Sequence, residues 1–172
     1  MEHPERYAVD LMSVILGEGM SSRLFVELRE QRGLAYDIQS GVSHFLDTGA
    51  FVITAGVDPK RLYDAVQTIL EEVGKLKDEV PEEELLRAKR LGTGRLLLRM
   101  EDTRAVSGWM GTQEMLTGRI LDTEEVIATV EKVTSHQVRS VAEKLLVTDR
   151  LNMAVVGPSR GQRRLERLLR LE

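Results

Sequence analysis

Residues 16–36 read LGEGMSSRLFVELREQRGLAY, and this stretch carries the densest set of local structure signals in the chain. Gly17 and Gly19 allow a backbone conformation with positive φ or a close approach to a neighbouring segment. Two serines can cap the helix that follows, and three apolar side chains on that helix recur at helical spacing. A glycine then ends the helix before Tyr36 opens a strand. The stretch predicts a glycine turn, a capped helix over 22–31, a charged turn and the start of a strand.

The flanking segments predict a helix and a hairpin. Apolar residues over 7–16 recur with the period of an amphipathic helix. Tyr36 and Ile38 begin an alternation of apolar and polar residues, which is typical of a strand with one solvent-facing side. After a turn signal at 47–49 the alternation resumes, so 36–57 is predicted to be a β-hairpin.

The rest of the chain is predicted to be mostly helical. Helix starts are predicted at Asp58-Pro59, at Pro81, at Asp122 or Thr123, and at the capping box that begins with Thr134. The helix from Pro81 is expected to reach about Arg99, and a second helix to run to Leu116. A short final strand is expected over 151–155. Two adjacent strands and many helices predict the α+β class, as a two-layer sandwich of a small, mainly antiparallel sheet covered by helices.

Composition limits the class of protein. The 172 residues fit one domain of roughly 100–200 residues, and 42% hydrophobic and 30% charged residues are ordinary for a globular domain. The net charge of −4 gives no reason to expect a nucleic-acid partner. The absence of cysteine excludes disulfides and thiolate metal sites. No apolar run approaches the ~20 residues of a membrane span, and no signal peptide is evident, so we expect a cytoplasmic protein.

The last residues form a basic segment. Five arginines oppose two glutamates there: Arg160, Arg163, Arg164, Arg167 and Arg170 against Glu166 and Glu172. We expect a domain over 1–158 and a basic amphipathic tail over 159–172. The tail is either a solvated end-helix with leucines on its apolar side or a surface that contacts a membrane or a polyanion.

The string at 16–36 resembles the signature of the C-terminal, non-catalytic, substrate-binding domain of the pitrilysin/insulinase/mitochondrial-processing-peptidase family of zinc metallopeptidases, which includes many bacterial proteases. The resemblance continues with TGAFVITAGVDP at 48–59, PEEELLRAK at 81–89 and LNMAVVGP at 151–158. It implies the processing-peptidase/LuxS-like metallohydrolase fold, in which helices back an antiparallel sheet. Family members usually carry an edge strand before the first helix. Because this chain starts almost at that helix, we expect one of two situations. Either the strand lies upstream, in a longer protein of which this chain is a part, or the sheet has an open edge that favours pairing with another chain.

The zinc site of the family is not expected in this chain. In the family that this chain resembles, zinc is bound by the two histidines of an H-x-x-E-H motif on a helix. The glutamate of that motif acts as a base. This chain has three histidines, His3, His44 and His136, and none has another histidine within five residues. We therefore expect no metal site and no catalytic residue here, and no peptide hydrolysis by this chain alone. Zinc is expected on a partner, the catalytic N-terminal half or subunit.

Arg29 and Tyr36 match an arginine and a tyrosine in the R-x₆-Y part of the signature. In the family these residues hold the substrate backbone near the scissile bond, so the resemblance implies a substrate-binding role here. A guanidinium offers fixed donors to a peptide carbonyl, and a phenol can donate to an oxygen that gains negative charge. The residues alone leave a structural alternative open, in which Arg29 pairs with Glu27 or Glu30 and Tyr36 faces the core.

Gly17 and Gly19 match part of a glycine-rich loop that is implicated in substrate admission in the mitochondrial processing peptidase. The resemblance implies a gate or hinge at these glycines, whereas the short form of the segment fits a tight turn.

Together these features predict the substrate-binding C-terminal half of a zinc-dependent processing-type endopeptidase. It would hold an extended peptide or unfolded protein against a zinc-bearing half that this chain does not contain. The alternative is a non-catalytic scaffold or assembly subunit of the same family. A third interpretation is a stand-alone peptide-binding domain that uses its open sheet edge, and the same edge is compatible with a homodimer.

Overall fold

The computed structural model describes residues 3–78, 80–158 and 161–171. In chain order these residues form α1 (Arg6–Gly17), a π-helix (Phe25–Gln31), β1 (Ala35–His44), β2 (Gly49–Val57), a 3-10 turn (Pro59–Arg61), α2 (Leu62–Lys75), α3 (Glu82–Arg99), α4 (Thr103–Thr117), α5 (Thr123–Glu131), α6 (Ser135–Leu145), a second 3-10 turn (Thr148–Arg150) and α7 (Gln162–Leu168). The predicted α+β class, with a small antiparallel sheet and many helices, is confirmed.

Among the described residues β1 and β2 form a two-stranded antiparallel sheet. The register pairs Ala35 with Val57 at one end and His44 with Gly49 at the other, with a bulge between Ala35 and Asp37. The face that meets the core carries Ile38, Ser40, Phe51, Ile53 and Ala55. α1 packs against β1, and the polar residues that alternate with the inward set face solvent, as expected for a sheet covered on one side.

The first helix, α1, is the central element of the core. It contacts β1, α3 and α6, because its apolar side chains recur every three or four residues and form one stripe. Met12 and Leu16 on that stripe are fully buried. At the end of α1, Gly17 approaches the sheet so closely that a Cβ there would lie 2.6 Å from the backbone nitrogen of Ser40.

The starts of the later helices follow their capping residues. Asp122 and Thr134 each form a capping box with a side chain three residues further on, which confirms both predicted starts. Asp58 instead caps only the 3-10 turn, so α2 begins at Leu62, later than predicted. The long helix from Pro81 reaches Arg99 as expected.

Two predicted elements differ from the observed ones. The helix predicted over 22–31 is a π-helix over Phe25–Gln31, in which the turns are wider than in an α-helix. The strand predicted over 151–155 is absent, because these residues form no ladder with β1 or β2. A segment with strand-like composition becomes a strand only when a neighbouring strand takes up its backbone hydrogen bonds.

The predicted tail contributes a short helix to the packing. α7 contacts α2, and Leu165 on it is buried. The guanidinium of Arg164 lies 4.0 Å from the centre of the Tyr63 ring. Arg160 and Glu172, which belong to the same predicted tail, lie outside the described residues.

Candidate functional site

The π-helix presents Arg29 to solvent. The guanidinium carbon of Arg29 lies 5.0 Å from the centre of the Phe25 ring, and no ion pair of Arg29 is formed within the described part of the chain. Glu27 pairs instead with Arg32, whose Nε lies 2.6 Å from a carboxylate oxygen. The structural alternative, an Arg29 ion pair with Glu27 or Glu30, is therefore not the observed arrangement, and the cation is available to a ligand.

The ring of Tyr36 lies on the outer surface of the sheet. The alternation of the strand would place Tyr36 on the same face as Ile38, but the bulge between Ala35 and Asp37 turns it outward. Tyr36 is 77% exposed, whereas Ile38 is 5% exposed. A β-bulge re-aims one side chain in this way without changing the rest of the strand. The alternative in which Tyr36 faces the core is thus also not observed.

Gly56 leaves the space that the Tyr36 ring occupies, and no sequence-based prediction included it. A Cβ on Gly56 would lie 2.3 Å from Cζ and 2.5 Å from the hydroxyl oxygen of Tyr36, so only glycine leaves room for the ring. The available signal was a glycine inside a strand pattern, which often marks a bulge or a close approach.

The segment between Arg29 and Tyr36 is held by hydrogen bonds. One Nη of Arg61 donates to the carbonyl oxygens of Arg32 and Gly33, at 3.1 and 3.4 Å. The guanidinium of Arg32 also donates to Oγ1 of Thr68 at 3.2 Å. These contacts tie the turn to α2 and to the 3-10 turn before it. Arg32 and Arg61 therefore both support the turn, and the sequence offers no signal for Arg61.

The core fixes the same segment from inside. The amide of Leu34 donates to the carbonyl of Leu28 at 2.6 Å, and both side chains are buried. Gly33 between them has φ of 56°, a left-handed conformation that favours glycine. The end of the π-helix and the start of β1 thus form one packed corner, and Arg29 before it and Tyr36 after it are both exposed.

The glycine turn is tight and bonded to its surroundings. Gly19 has φ of 93°, and its carbonyl accepts bonds from the amide and hydroxyl of Ser22 at 3.2 and 2.8 Å. Glu18 accepts a bond from Ser13 and pairs with Arg95 at 2.6 Å. Together with the close approach of Gly17 to the sheet, these contacts favour the tight-turn interpretation. A gate or hinge at Gly17 and Gly19 stays a prediction.

Zinc does not fit the donors that the described residues offer. His44 Nε2 lies 2.6 Å from a carboxylate oxygen of Asp10, and both groups are at least partly exposed. His3, which precedes α1, and His136, on α6, are both exposed and distant in sequence from His44. Within residues 3–78, 80–158 and 161–171, no three His, Cys, Asp or Glu side chains are grouped so that they could hold a metal ion. Catalytic zinc needs three protein ligands, which these residues do not supply.

The pKa of Lys75, on α2, is shifted by a neighbouring carboxylate. A hydrogen bond from Lys75 Nζ to the buried carboxylate of Glu72, at 2.5 Å, raises the pKa of Lys75 above its usual value. Because the partner is an anion, the charged form of the lysine is the one that is stabilised.

Comparison with known proteins gives a consistent result. The family model described as "Peptidase M16 inactive domain" matches residues 1–91. An uncharacterised zinc protease of Mycobacterium leprae is 35% identical over 167 residues, which are 96% of this chain and 37% of that protease. The chain thus spans little more than a third of the length of that relative.

Solved structures share the fold. The peptidase M16 inactive domain from Pseudomonas fluorescens aligns with a TM-score of 0.72 and 26% identity, over 83% of this chain and 34% of that one. A chain of complex III2 from Candida albicans aligns with a TM-score of 0.77 over 84% of this chain and 37% of that one; at 19% identity this shows the fold alone. In the part of the chain that the structure describes, no helix combines the length and apolar character needed to cross a bilayer.

Proposed function

From the premise that this chain belongs to the M16 peptidases as their C-terminal inactive domain, we propose that it is the substrate-binding half of a zinc-dependent processing-type endopeptidase. The zinc-bearing half is supplied by a partner, either another part of a longer polypeptide or a separate subunit. An extended peptide binds between the two halves, and this chain holds its backbone near the bond that is cleaved.

The single observation that carries the proposal is the state of Arg29 and Tyr36. Both are exposed, and both lack a competing polar partner within the described residues. An arginine without an ion pair keeps its planar set of donors for a peptide carbonyl. An exposed phenol hydroxyl can donate to an oxygen that becomes negative during hydrolysis.

The contacts around Arg29 and Tyr36 favour a function in binding a ligand over a function in packing the core. Holding an exposed tyrosine over Gly56 requires a bulge and a side-chain-free position, neither of which improves the core. Arg61 and Arg32 fix the turn between the two residues. A site that binds a backbone needs this preorganisation, because a misplacement of about 1 Å can cost about a hundredfold in rate.

The test mixes this chain with the zinc-bearing half of its own organism, recognised by its H-x-x-E-H motif, and follows cleavage of a fluorogenic peptide library. We expect cleavage in the mixture and none by either half alone, with loss on adding a zinc chelator. Tyr36→Phe should lower kcat about a hundredfold, the usual effect of removing one oxyanion donor. Arg29→Ala should weaken substrate binding and raise KM.

The matched control is Arg104→Ala, which removes another exposed arginine, on α4. We expect kcat and KM of Arg104→Ala to equal those of the unchanged pair. The proposal is wrong if halves that demonstrably associate cleave nothing, or if Arg29→Ala and Tyr36→Phe leave the kinetics unchanged.

A second function is favoured by the surface of α4. This helix of 15 residues buries only Gln113, and Met110 and Met115 on it are 43% and 85% exposed. Exposed apolar side chains of this size often mark a contact with another protein. A non-catalytic scaffold or assembly subunit would use such a surface. Association of the two halves that is lost in Met115→Glu, in a mixture without peptidase activity, would favour this scaffold function.

A further inference from the structure

An open groove lies between α1 and α3, beside the glycine turn. Its floor is apolar and consists of Val14, Ile15, Ala88 and Leu91, and its volume is 390 Å³. We call it the α1–α3 groove. The volume falls within the range of small-ligand sites in proteins, which is roughly 300–1,000 Å³. An apolar floor of this size can accept one large apolar side chain.

The rim of the α1–α3 groove carries two glutamates and two arginines. Each glutamate is already paired with a further arginine that does not line the groove, so the two rim arginines are left as excess positive charge. Glu84 is neutralised by Arg23, which donates through two nitrogens at 2.6 and 3.1 Å. Glu18 is neutralised by Arg95 at 2.6 Å. The two remaining rim residues are Arg87 and Arg90, and they decide the sign of the rim's charge.

Arg87 and Arg90 line the same groove, and both are exposed. Neither forms an ion pair within the described residues, so each contributes an unneutralised positive charge. The groove therefore has a net positive rim around an apolar floor, although the whole chain carries a net charge of −4. A partner that complements it has carboxylates beside an apolar side chain.

We propose that the α1–α3 groove binds an extended peptide segment in which one large apolar residue lies between acidic residues. The apolar side chain enters the floor, and the flanking carboxylates pair with Arg87 and Arg90. The inference goes beyond the proposed function, because it requires neither a zinc-bearing half nor Arg29 and Tyr36. It gives this chain a contact for an acidic segment of a partner protein.

Gly19 keeps the end of the groove open. A Cβ at Gly19 would lie 3.2 Å from Cδ2 of Leu91, closer than most contacts of such atoms, and would press on the floor. Its φ of 93° is also one that other residues rarely adopt. The glycine therefore allows the turn to pass beside the floor without filling it.

The test measures binding of fluorescein-labelled 12-residue peptides to the whole chain by fluorescence anisotropy. The first peptide has one Leu between two pairs of Glu in a Gly/Ser background. The second replaces the Glu residues by Lys, and the third replaces the Leu by Ser. We expect the first peptide to bind at least about tenfold more tightly than either of the others, with affinity falling as salt rises.

Charge reversal of the rim tests the assignment of the site. The double variant Arg87→Glu/Arg90→Glu should weaken binding of the Leu–Glu peptide by about tenfold or more, because two attractions become repulsions. Its control is Arg104→Glu/Arg163→Glu, which makes the same change in net charge at two exposed arginines outside the groove. Both substitutions lie on the surface, so circular dichroism should report an unchanged fold.

Three results would overturn the proposal. They are equal binding of the Lys peptide, equal loss of affinity in the control double variant, or no binding of the Leu–Glu peptide at millimolar concentration. None of them bears on Arg29 or Tyr36, so the peptidase proposal is judged by its own experiment.

Discussion

Replacing Gly17 by alanine tests how α1 meets the sheet. A Cβ at this position would lie 2.6 Å from the backbone nitrogen of Ser40, 2.6 Å from its Oγ and 2.9 Å from its Cβ. A side chain alone could rotate away, but the backbone nitrogen cannot, so α1 and β1 must separate. Overpacking of this kind costs about 1–3 kcal/mol. The helical preference of alanine over glycine offsets at most about 1 kcal/mol of that cost.

The assay is urea and thermal denaturation followed by circular dichroism. For a chain of this length each kcal/mol lowers Tm by about 2–4 °C, so Gly17→Ala should lower Tm by several degrees. Gly92→Ala is the matched control, because Gly92 lies inside α3 and a Cβ there meets no atom within 4 Å. That variant should gain about 0.5–1 kcal/mol.

The double variant Gly17→Ala/Ser40→Ala should recover only part of the lost stability, since the backbone nitrogen of Ser40 remains in the way. If Gly17→Ala is as stable as Gly92→Ala, the close approach is not a constraint. Gly17 would then be better explained as a hinge, and the effect of the substitution would be found in activity instead.

Three further outcomes are expected. Gly56→Ala should displace the Tyr36 ring, visible as a change of its NMR ring signals, with little loss of stability because the ring is exposed; unchanged ring signals would contradict the contact. Leu28→Ala should lower the free energy of unfolding by about 2–5 kcal/mol in urea, since Leu28 is fully buried, and a loss below 1 kcal/mol would argue against that packing. Lys75→Met should destabilise the chain at pH 8, because it leaves the buried Glu72 carboxylate without its cation. The pKa of Lys75 is raised above 10.5 in the folded chain, so its contribution is complete below that pH and fades as the pH rises through the raised pKa. The difference in urea midpoint between the unchanged chain and Lys75→Met should therefore shrink at pH 11, and a constant difference would refute the ion pair as its cause.

The sequence predicted those parts of the fold that local chemistry dictates. The capping boxes at Asp122 and Thr134 depend on side chains three residues apart, so the chain itself contains their whole signal. The hairpin depends on an alternation of apolar residues and a turn between them, which are equally local. These elements were predicted within one or two residues of their observed starts.

Other features depend on contacts between distant segments, and the sequence could not supply them. The residues of the π-helix could equally form an α-helix, and those at the bulge before Asp37 could equally form a regular strand. The strand predicted over 151–155 needs a neighbour that the described residues do not provide. Its apolar composition alone could not reveal this.

The candidate site shows the same division. Arg29 and Tyr36 were selected through the family signature, but alternation of the strand suggested an inward tyrosine, and only the bulge explains why it is exposed. Gly56 had a weak signal as a glycine within a strand. Arg61 had none, because its bonds to the carbonyls of Arg32 and Gly33 join segments that are far apart in the chain.

Photocrosslinking would show whether this chain contacts the substrate beside the scissile bond. A peptide substrate with a photoreactive residue next to its scissile bond would be irradiated with the assembled halves, and the crosslinked fragments identified by mass spectrometry. The substrate-binding function predicts crosslinks on this chain within residues 29–36 or at Gly56, lost when an unlabelled substrate competes. Crosslinks that map only to other surfaces of this chain, such as α4, or only to the partner half would contradict it.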